Sequence, residues 1–137
     1  MSDVPRKFAP KPSPETQPFW DGCADGELRL QRCIPCNELY FPPRPACPRC
    51  LSDETKWETL SGRGKLHTYL INHRAAPGFE PPYAIAVVEL DEGPRMMSNI
   101  VGVEQTPEAL VLDMDLEVTF EKRGDVMLPL FKPAGAR

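Results

Sequence analysis

The chain has 137 residues, 41% hydrophobic and 26% charged, with a formal net charge of −4. That length suits one compact unit or two very small ones, and the mild acidity supplies no field that would draw in polyanions. No apolar run approaches the roughly 18 residues of a membrane-spanning helix, the start of the chain lacks the apolar stretch of a secretory leader, and residue 2 is Ser with no cysteine at the C-terminus, which excludes the common lipid anchors, so the expected location is cytoplasmic.

Residues 1–12 (MSDVPRKFAPKP) are polar and Pro-rich, and read as a loose tail or as an arm lying on a partner. A short helix is expected next. Ser13 and Thr16 are both possible caps. A start at Ser13 would place the Pro18 ring against the preceding turn, so Thr16 is favoured. Phe19, Trp20 and Cys23 then share one helical face, and Gly26 stops the helix.

Residues 27–60 carry the strongest chemical signal. Short strands are expected over 27–32 (ELRLQR), 39–41 and 56–60 (KWETL). Between them lie two C-x-x-C pairs, Cys33/Cys36 and Cys47/Cys50, separated by the ten residues 37–46. A two-residue spacing lets a tight turn aim both sulfurs at one point, and two such turns complete a tetrahedral S₄ site of the kind that suits Zn²⁺. In a reducing compartment, paired cysteines more often mean metal than disulfide. Iron in a rubredoxin-like site is the chemical rival. Either ion would be saturated by protein, leaving no open position for catalysis. The segment has 34 residues, below the size of roughly 40 at which a domain usually stands without a staple, and the metal is expected to supply one. Cys23 reads as core packing, because a nucleophile would need a base that the sequence does not place beside it.

Residues 61–137 look all-β. Strands are expected over 65–73, 83–90, 95–103, 116–123 and 126–132, with hairpin turns at 91–94 and 124–125 and a capped helical turn at 106–109. Five strands with a helical element after the third match a five-stranded OB barrel. The fold class is therefore mostly β: an N-terminal arm and helix (1–26), a rubredoxin-like zinc ribbon (27–60) and an OB-fold barrel (61–137). Leu116, Val118 and Phe120 should face one way on a half-buried strand. His67 and His73 are six apart, which in a regular strand puts both on one face; isolated surface histidines remain the plainer reading. Asp113, Asp115 and Glu117 read as a solvated strand entry. The glycines of 61–64 (SGRG) permit a turn between modules, and residues 74–82 form a long loop where OB barrels often bind ligands.

A ribbon joined to an OB barrel suggests single-stranded nucleic acid as one function. Charge argues against it: residues 61–137 hold 8 Lys/Arg against 11 Asp/Glu, whereas phosphate-tracking proteins need a cationic surplus. A stand-alone thioester enzyme using Cys23 with His67 ranks lower still.

Taken in order, several residues carry a family resemblance. They are Phe19-Trp20, Gly26-Glu27-Leu28, Arg32-Cys33-x-x-Cys36, Phe41-Pro42-Pro43-Arg44, Cys47-Pro48-x-Cys50, Trp57, Ser61-Gly62-x-Gly64, Pro82-Tyr83 and Leu90-Asp91-Glu92-Gly93. From about Trp20 to Phe131 the chain resembles the acyl-CoA-associated zinc-ribbon/OB-fold proteins long known only as a domain of unknown function. Asn37 stands where many relatives would have Gly, and both tolerate a left-handed turn. The resemblance implies an accessory, non-catalytic subunit of a thiolase-superfamily acyl-CoA enzyme that forms or cleaves C–C bonds. In such an assembly the ribbon and helix dock on the thiolase-like subunit and the barrel helps enclose the CoA thioester. Arg44, Arg49, Arg63 and Arg74 are the candidate CoA contacts by residue type, since an arginine fork suits a diphosphate.

Overall fold

The structure is a computed structural model and describes residues 9–135; most of the N-terminal arm, residues 1–8, lies outside the described residues. Helix α1 spans Gln17–Ala24. Thr16 occupies the cap position but makes no side-chain cap bond, because its backbone is already helical (φ −99°, ψ −8°). Its hydroxyl instead accepts from the Ser13 amide at 2.9 Å, so both expected starts merge into one turn. At the other end Glu27 N–H donates to the Gly22 carbonyl at 2.8 Å and Gly26 N–H to that of Cys23 at 3.1 Å. With Gly26 at φ 77°, this is a Schellman stop. Phe19 and Cys23 are buried and Trp20 is half-buried, as their shared face predicts.

The ribbon is a three-stranded antiparallel sheet in the order β2-β1-β3, made of β1 (Arg29–Cys33), β2 (Leu39–Tyr40) and β3 (Thr55–Thr59). β1 begins two residues later than the pattern predicts, since Glu27 is spent on the helix stop. β2 ends before Phe41, where Pro42 and Pro43 can donate nothing to a ladder.

The barrel runs β6-β5-β4-β7-β8. Its strands are β4 (Arg63–Asn72), β5 (Tyr83–Leu90), β6 (Arg95–Ser98), β7 (Asp115–Arg123) and β8 (Val126–Pro133). This is the expected five-stranded OB arrangement, with two departures. β6 is shorter than 95–103, because the chain leaves the β5 ladder after Ser98 and crosses to β8. There Ile100 forms a parallel bridge with Phe131, Val101 N–H donates to the Phe131 carbonyl at 2.8 Å, and Phe131 N–H donates to that of Asn99 at 3.1 Å. The residues expected to lengthen a strand instead close the barrel. The second departure is a bulge in β4: Leu66 pairs with Val88 but Thr68 pairs with Val87, leaving His67 over. A bulge breaks the two-residue parity, and His73 lies beyond the end of β4, so the argument that placed both histidines on one face fails.

The helical turn after β6 is present. Thr106 Oγ1 accepts from Ala109 N–H at 3.2 Å, and Leu110 N–H reaches the Thr106 carbonyl at 2.9 Å, burying Leu110. In β7 Leu116 is fully buried while Val118 and Phe120 are half-buried against the core. Asp113 and Asp115 are exposed, as expected of a strand entry.

One apolar cluster joins all three parts. It contains Phe19 and Cys23 of the helix, Leu28, Leu30 and Leu60 at the base of the ribbon, and Leu66, Val88, Ile100, Leu116 and Phe131 of the barrel. The far half of the ribbon has only a small cluster of its own, Cys33, Tyr40 and Cys47, with Cys36 at its margin. The glycines between ribbon and barrel divide two tasks. Gly62 takes the turn at φ 77°. Gly64 lets β4 and β5 close up, because a Cβ there would sit 2.6 Å from the Glu89 carbonyl oxygen and 2.9 Å from Val88 Cγ1. Gly64→Ala should therefore cost about 1–3 kcal/mol through overpacking, read as a lower denaturant midpoint with an unchanged slope; an unaltered midpoint would show that the strands separate freely.

Candidate metal centre

The two C-x-x-C turns are built alike. Cys33 N–H donates to the carbonyl of Glu38, and Cys47 N–H to that of Ser52, both at 2.8 Å and both five residues ahead. Each turn is closed by a left-handed residue directly after its second cysteine, Asn37 (φ 62°) and Leu51 (φ 66°). Asn37 was legible as a left-handed position. Leu51 was not, because leucine rarely adopts that conformation; the only signal was its place after Cys50, matching that of Asn37 after Cys36.

These turns bring all four sulfurs within 4.8 Å of one another. Cys33 and Cys50 Sγ are 3.4 Å apart, and Cys36 and Cys47 Sγ are 3.6 Å apart. A tetrahedron with metal–sulfur bonds of about 2.3 Å has edges of about 3.8 Å, so the cage fits such an ion. The separations are far beyond a covalent S–S bond of about 2.05 Å, and all five cysteines are free. Cys33 and Cys47 are buried, Cys36 is half-buried and Cys50 is exposed. Burial works against ionisation throughout this set of close sulfurs and raises the Cys33 and Cys36 thiols, while backbone amides of Cys50 and Arg49 aimed at the Cys47 sulfur lower that one. The Arg49 amide lies 3.4 Å from that sulfur. The thiolate is the metal-binding form, so the backbone prepares this ligand. Four sulfurs fill a tetrahedron, which leaves no position for substrate or water.

Supporting residues were harder to read. Gln31, to which the sequence gave no role, is buried, and its Oε1 accepts from Arg44 N–H at 2.8 Å, bracing the spacer between the knuckles. Arg32 and Glu58 form a forked ion pair beside the first knuckle. The burial of Cys23 raises its thiol to about 12, outweighing the nearby positive charge of Arg29. That is packing chemistry, as expected, and unsuited to a nucleophile. Among the described residues, the acidic run Asp113, Asp115 and Glu117 forms no metal-ligand group; Glu117 faces Lys132 at 3.8 Å instead.

The four arginines are spread out. Arg44 lies in the spacer and Arg49 on the second knuckle, both exposed, with Arg49 paired to Glu38 at 3.2 Å. Arg63 opens β4 and Arg74 follows its end, so an extended strand of roughly 30 Å separates them. A single diphosphate cannot bridge that pair. Among the described residues, Arg63 has a buried Nη1 with no hydrogen-bond partner, as Arg123 has a buried Nη2. Two clefts of about 290 Å³ flank the barrel. One is apolar, between Trp20, Phe41, Pro42, Met97 and Leu128. The other lies under the loop after β4, where Phe79 stacks on Tyr83 at 4.7 Å and Arg123 sits 5.4 Å from the Phe79 ring.

Residues 20–56 match the ChsH2 rubredoxin-like zinc ribbon domain and residues 57–121 the ChsH2 C-terminal OB-fold domain. The chain belongs to the ChsH2-type zinc-ribbon/OB-fold family. It is 35% identical over 136 residues to a probable enoyl-CoA hydratase alpha subunit of Thermomonospora curvata, covering 95% of this chain and 41% of that protein. It is 41% identical over 95 residues to a DUF35 domain-containing scaffold protein of Methanocaldococcus jannaschii, 66% of this chain and 65% of that one. It is 32% identical over 99 residues to the benzoylsuccinyl-CoA thiolase subunit BbsA of Thauera aromatica, 70% and 67% of the two chains. This chain thus spans about two-fifths of the hydratase subunit and about two-thirds of the other two relatives. Among solved structures, a chain of the Ltp2-ChsH2(DUF35) aldolase superposes with a TM-score of 0.80 at 31% identity, covering 91% of this chain and 98% of that one.

Two outcomes follow for the cysteines. In the metal-loaded folded chain at pH 8, a thiol reagent should leave Cys23 unlabelled, because a thiol raised to about 12 is protonated there; mass spectrometry after digestion reads this, and labelling that matches a denatured control would refute it. Cys47→Ser should abolish stoichiometric metal binding, measured by elemental analysis of the purified chain.

Proposed function

We propose that this chain is a non-catalytic, cytoplasmic subunit of a thiolase-superfamily acyl-CoA enzyme, stapled by one structural Zn²⁺ on Cys33, Cys36, Cys47 and Cys50. The observation that carries this reading is the closed S₄ cage in a chain whose remaining reactive groups are dispersed. Cys23 is buried, which disfavours its thiolate, His67 sits in a bulge, and His73 is exposed beyond the strand. A chain built this way holds a shape and leaves the bond-making chemistry to a partner. The family supports the choice of partner. The match to the aldolase chain covers 98% of that chain and BbsA is a thiolase subunit, whereas only 41% of the hydratase subunit is spanned.

Docking falls to the helix and the spacer. Trp20, Phe41, Pro42 and Pro43 line an apolar cleft, and prolines lose little freedom on ordering. The CoA thioester would lie between barrel and partner. Because the four arginines do not converge, they are tested singly, beginning with Arg63 at the start of β4. The dispersed charge and the acidic barrel weigh against nucleic acid as ligand.

Co-expression with a thiolase-like subunit encoded nearby should yield one complex containing one zinc per copy of this chain, and the partner's activity should fall when this chain is omitted. Separate elution with unchanged partner activity would reject the assignment. In the complex, Arg63→Ala should weaken CoA binding by calorimetry, about tenfold for one lost charge-assisted contact; an unchanged isotherm would remove Arg63 from the site.

A further inference from the structure

Arg32 precedes the first metal-site cysteine, and its guanidinium does two things at once. Nε and Nη2 straddle the Glu58 carboxylate at 3.1 and 2.8 Å, while Nη1 donates to the carbonyl of Asn37 at 2.9 Å. Glu58 lies on β3, opposite Leu30 and diagonal to Arg32 across the β1–β3 ladder. Asn37 is the left-handed residue that closes the Cys33/Cys36 turn. One planar side chain therefore ties the outer end of the first knuckle to the sheet. The pair is shielded, with side-chain exposures of 22% and 33%. The pairing holds the Glu58 carboxyl below the usual carboxylate range, so the fork stays charged.

Among the described residues no forked ion pair of this kind ties the second knuckle to the sheet. Its backbone closes on itself from Cys47 to Ser52. Among the described residues the ion pair that reaches it, Arg49 with Glu38, leaves Arg49 71% exposed, and surface pairs of that kind contribute little. The two turns share backbone geometry but not support.

We infer that Arg32 is a positioning residue for the metal: it holds the Cys33/Cys36 knuckle in its ligating shape before the ion arrives, and the ion then gathers the Cys47/Cys50 knuckle onto it. Outer-shell groups that fix ligand geometry typically change metal affinity 10- to 100-fold. Lysine could keep one contact but not the fork, so Arg32→Lys should fall between the wild type and Arg32→Ala. This inference rests on the four cysteines binding a metal ion.

The test uses Co²⁺ as the probe, with its thiolate charge-transfer absorption as the readout and a chelator of known affinity as competitor. The control is Arg29→Ala. Arg29 lies on the same strand and pairs with Glu27 and Asp25, away from the knuckle. Arg32→Ala should lower Co²⁺ affinity about tenfold or more while its saturated spectrum keeps the four-thiolate form. Arg32→Lys should be intermediate, and Arg29→Ala should stay within about twofold of wild type, because its ion pairs tie the helix stop and not the knuckle. Equal losses in Arg32→Ala and Arg29→Ala would mean general weakening of the sheet and would overturn the inference, as would wild-type affinity in Arg32→Ala. If Arg32→Ala does not fold at saturating Co²⁺, Arg32→Lys against Arg29→Ala decides in the same way. A wild-type chain that binds no Co²⁺ at all would instead overturn the metal assignment itself.

Discussion

The far half of the ribbon is held by the convergence of four sulfurs. Its buried cluster is one tyrosine and the cysteines themselves. Such a cluster buries too little apolar area to offset the entropy of ordering the spacer and two left-handed turns. Metal–thiolate bonds, whose binding free energy is also folding free energy, can close that deficit. The shape of the tip, and the exposed surface of Ile34, Leu51 and Arg49 around it, rest on the convergence of those four sulfurs.

The near half of the ribbon is in a different position. Leu28, Leu30 and Leu60 pack into the same cluster as the helix and the barrel. Glu92 of the turn after β5 accepts from the Ser61 amide at 2.8 Å, fastening the connection between the two sheets. The ribbon is thus half an independent metal module and half a wall of the barrel core. Loss of the ion would be expected to release the tip first, because the base retains its apolar contacts.

This division suits the accessory role proposed above. A tip set by a metal, a Pro-rich spacer braced by Gln31, and an apolar cleft floored by Leu128 and Met97 give fixed contours at little ordering cost. Nothing in that arrangement needs an activated nucleophile. The one cysteine outside the cage is used for its volume beside Phe19, and the histidines stand apart from it. A barrel closed through Ile100 and Phe131 then keeps the β4–β5 loop, with its Phe79–Tyr83 stack, in a defined place above the second cleft.

Much of this was legible in the residues. Two C-x-x-C pairs announce their chemistry through local spacing alone, because a tight turn fixes the aim of both sulfurs. The helix stop at Gly26 and the strand Tyr83–Leu90 were equally local. What the sequence could not decide were features in which a distant segment sets the outcome. The bulge at His67 depends on how β5 pairs with β4, and it undid a parity argument that was sound for a regular strand. The end of β6 depends on β8 offering Phe131 as a new partner, which turned expected strand into barrel closure. Nothing in the sequence gave Gln31 or Arg32 a supporting role, although Arg32 stands in the family signature; the return of the spacer and of β3 made one a brace and the other a clamp. Sequence alone determined the donor set and the fold class, since these rest on spacing and periodicity within a few residues. Tertiary structure decided which side chains support the donors, because that depends on segments brought together from 13 and 26 positions apart.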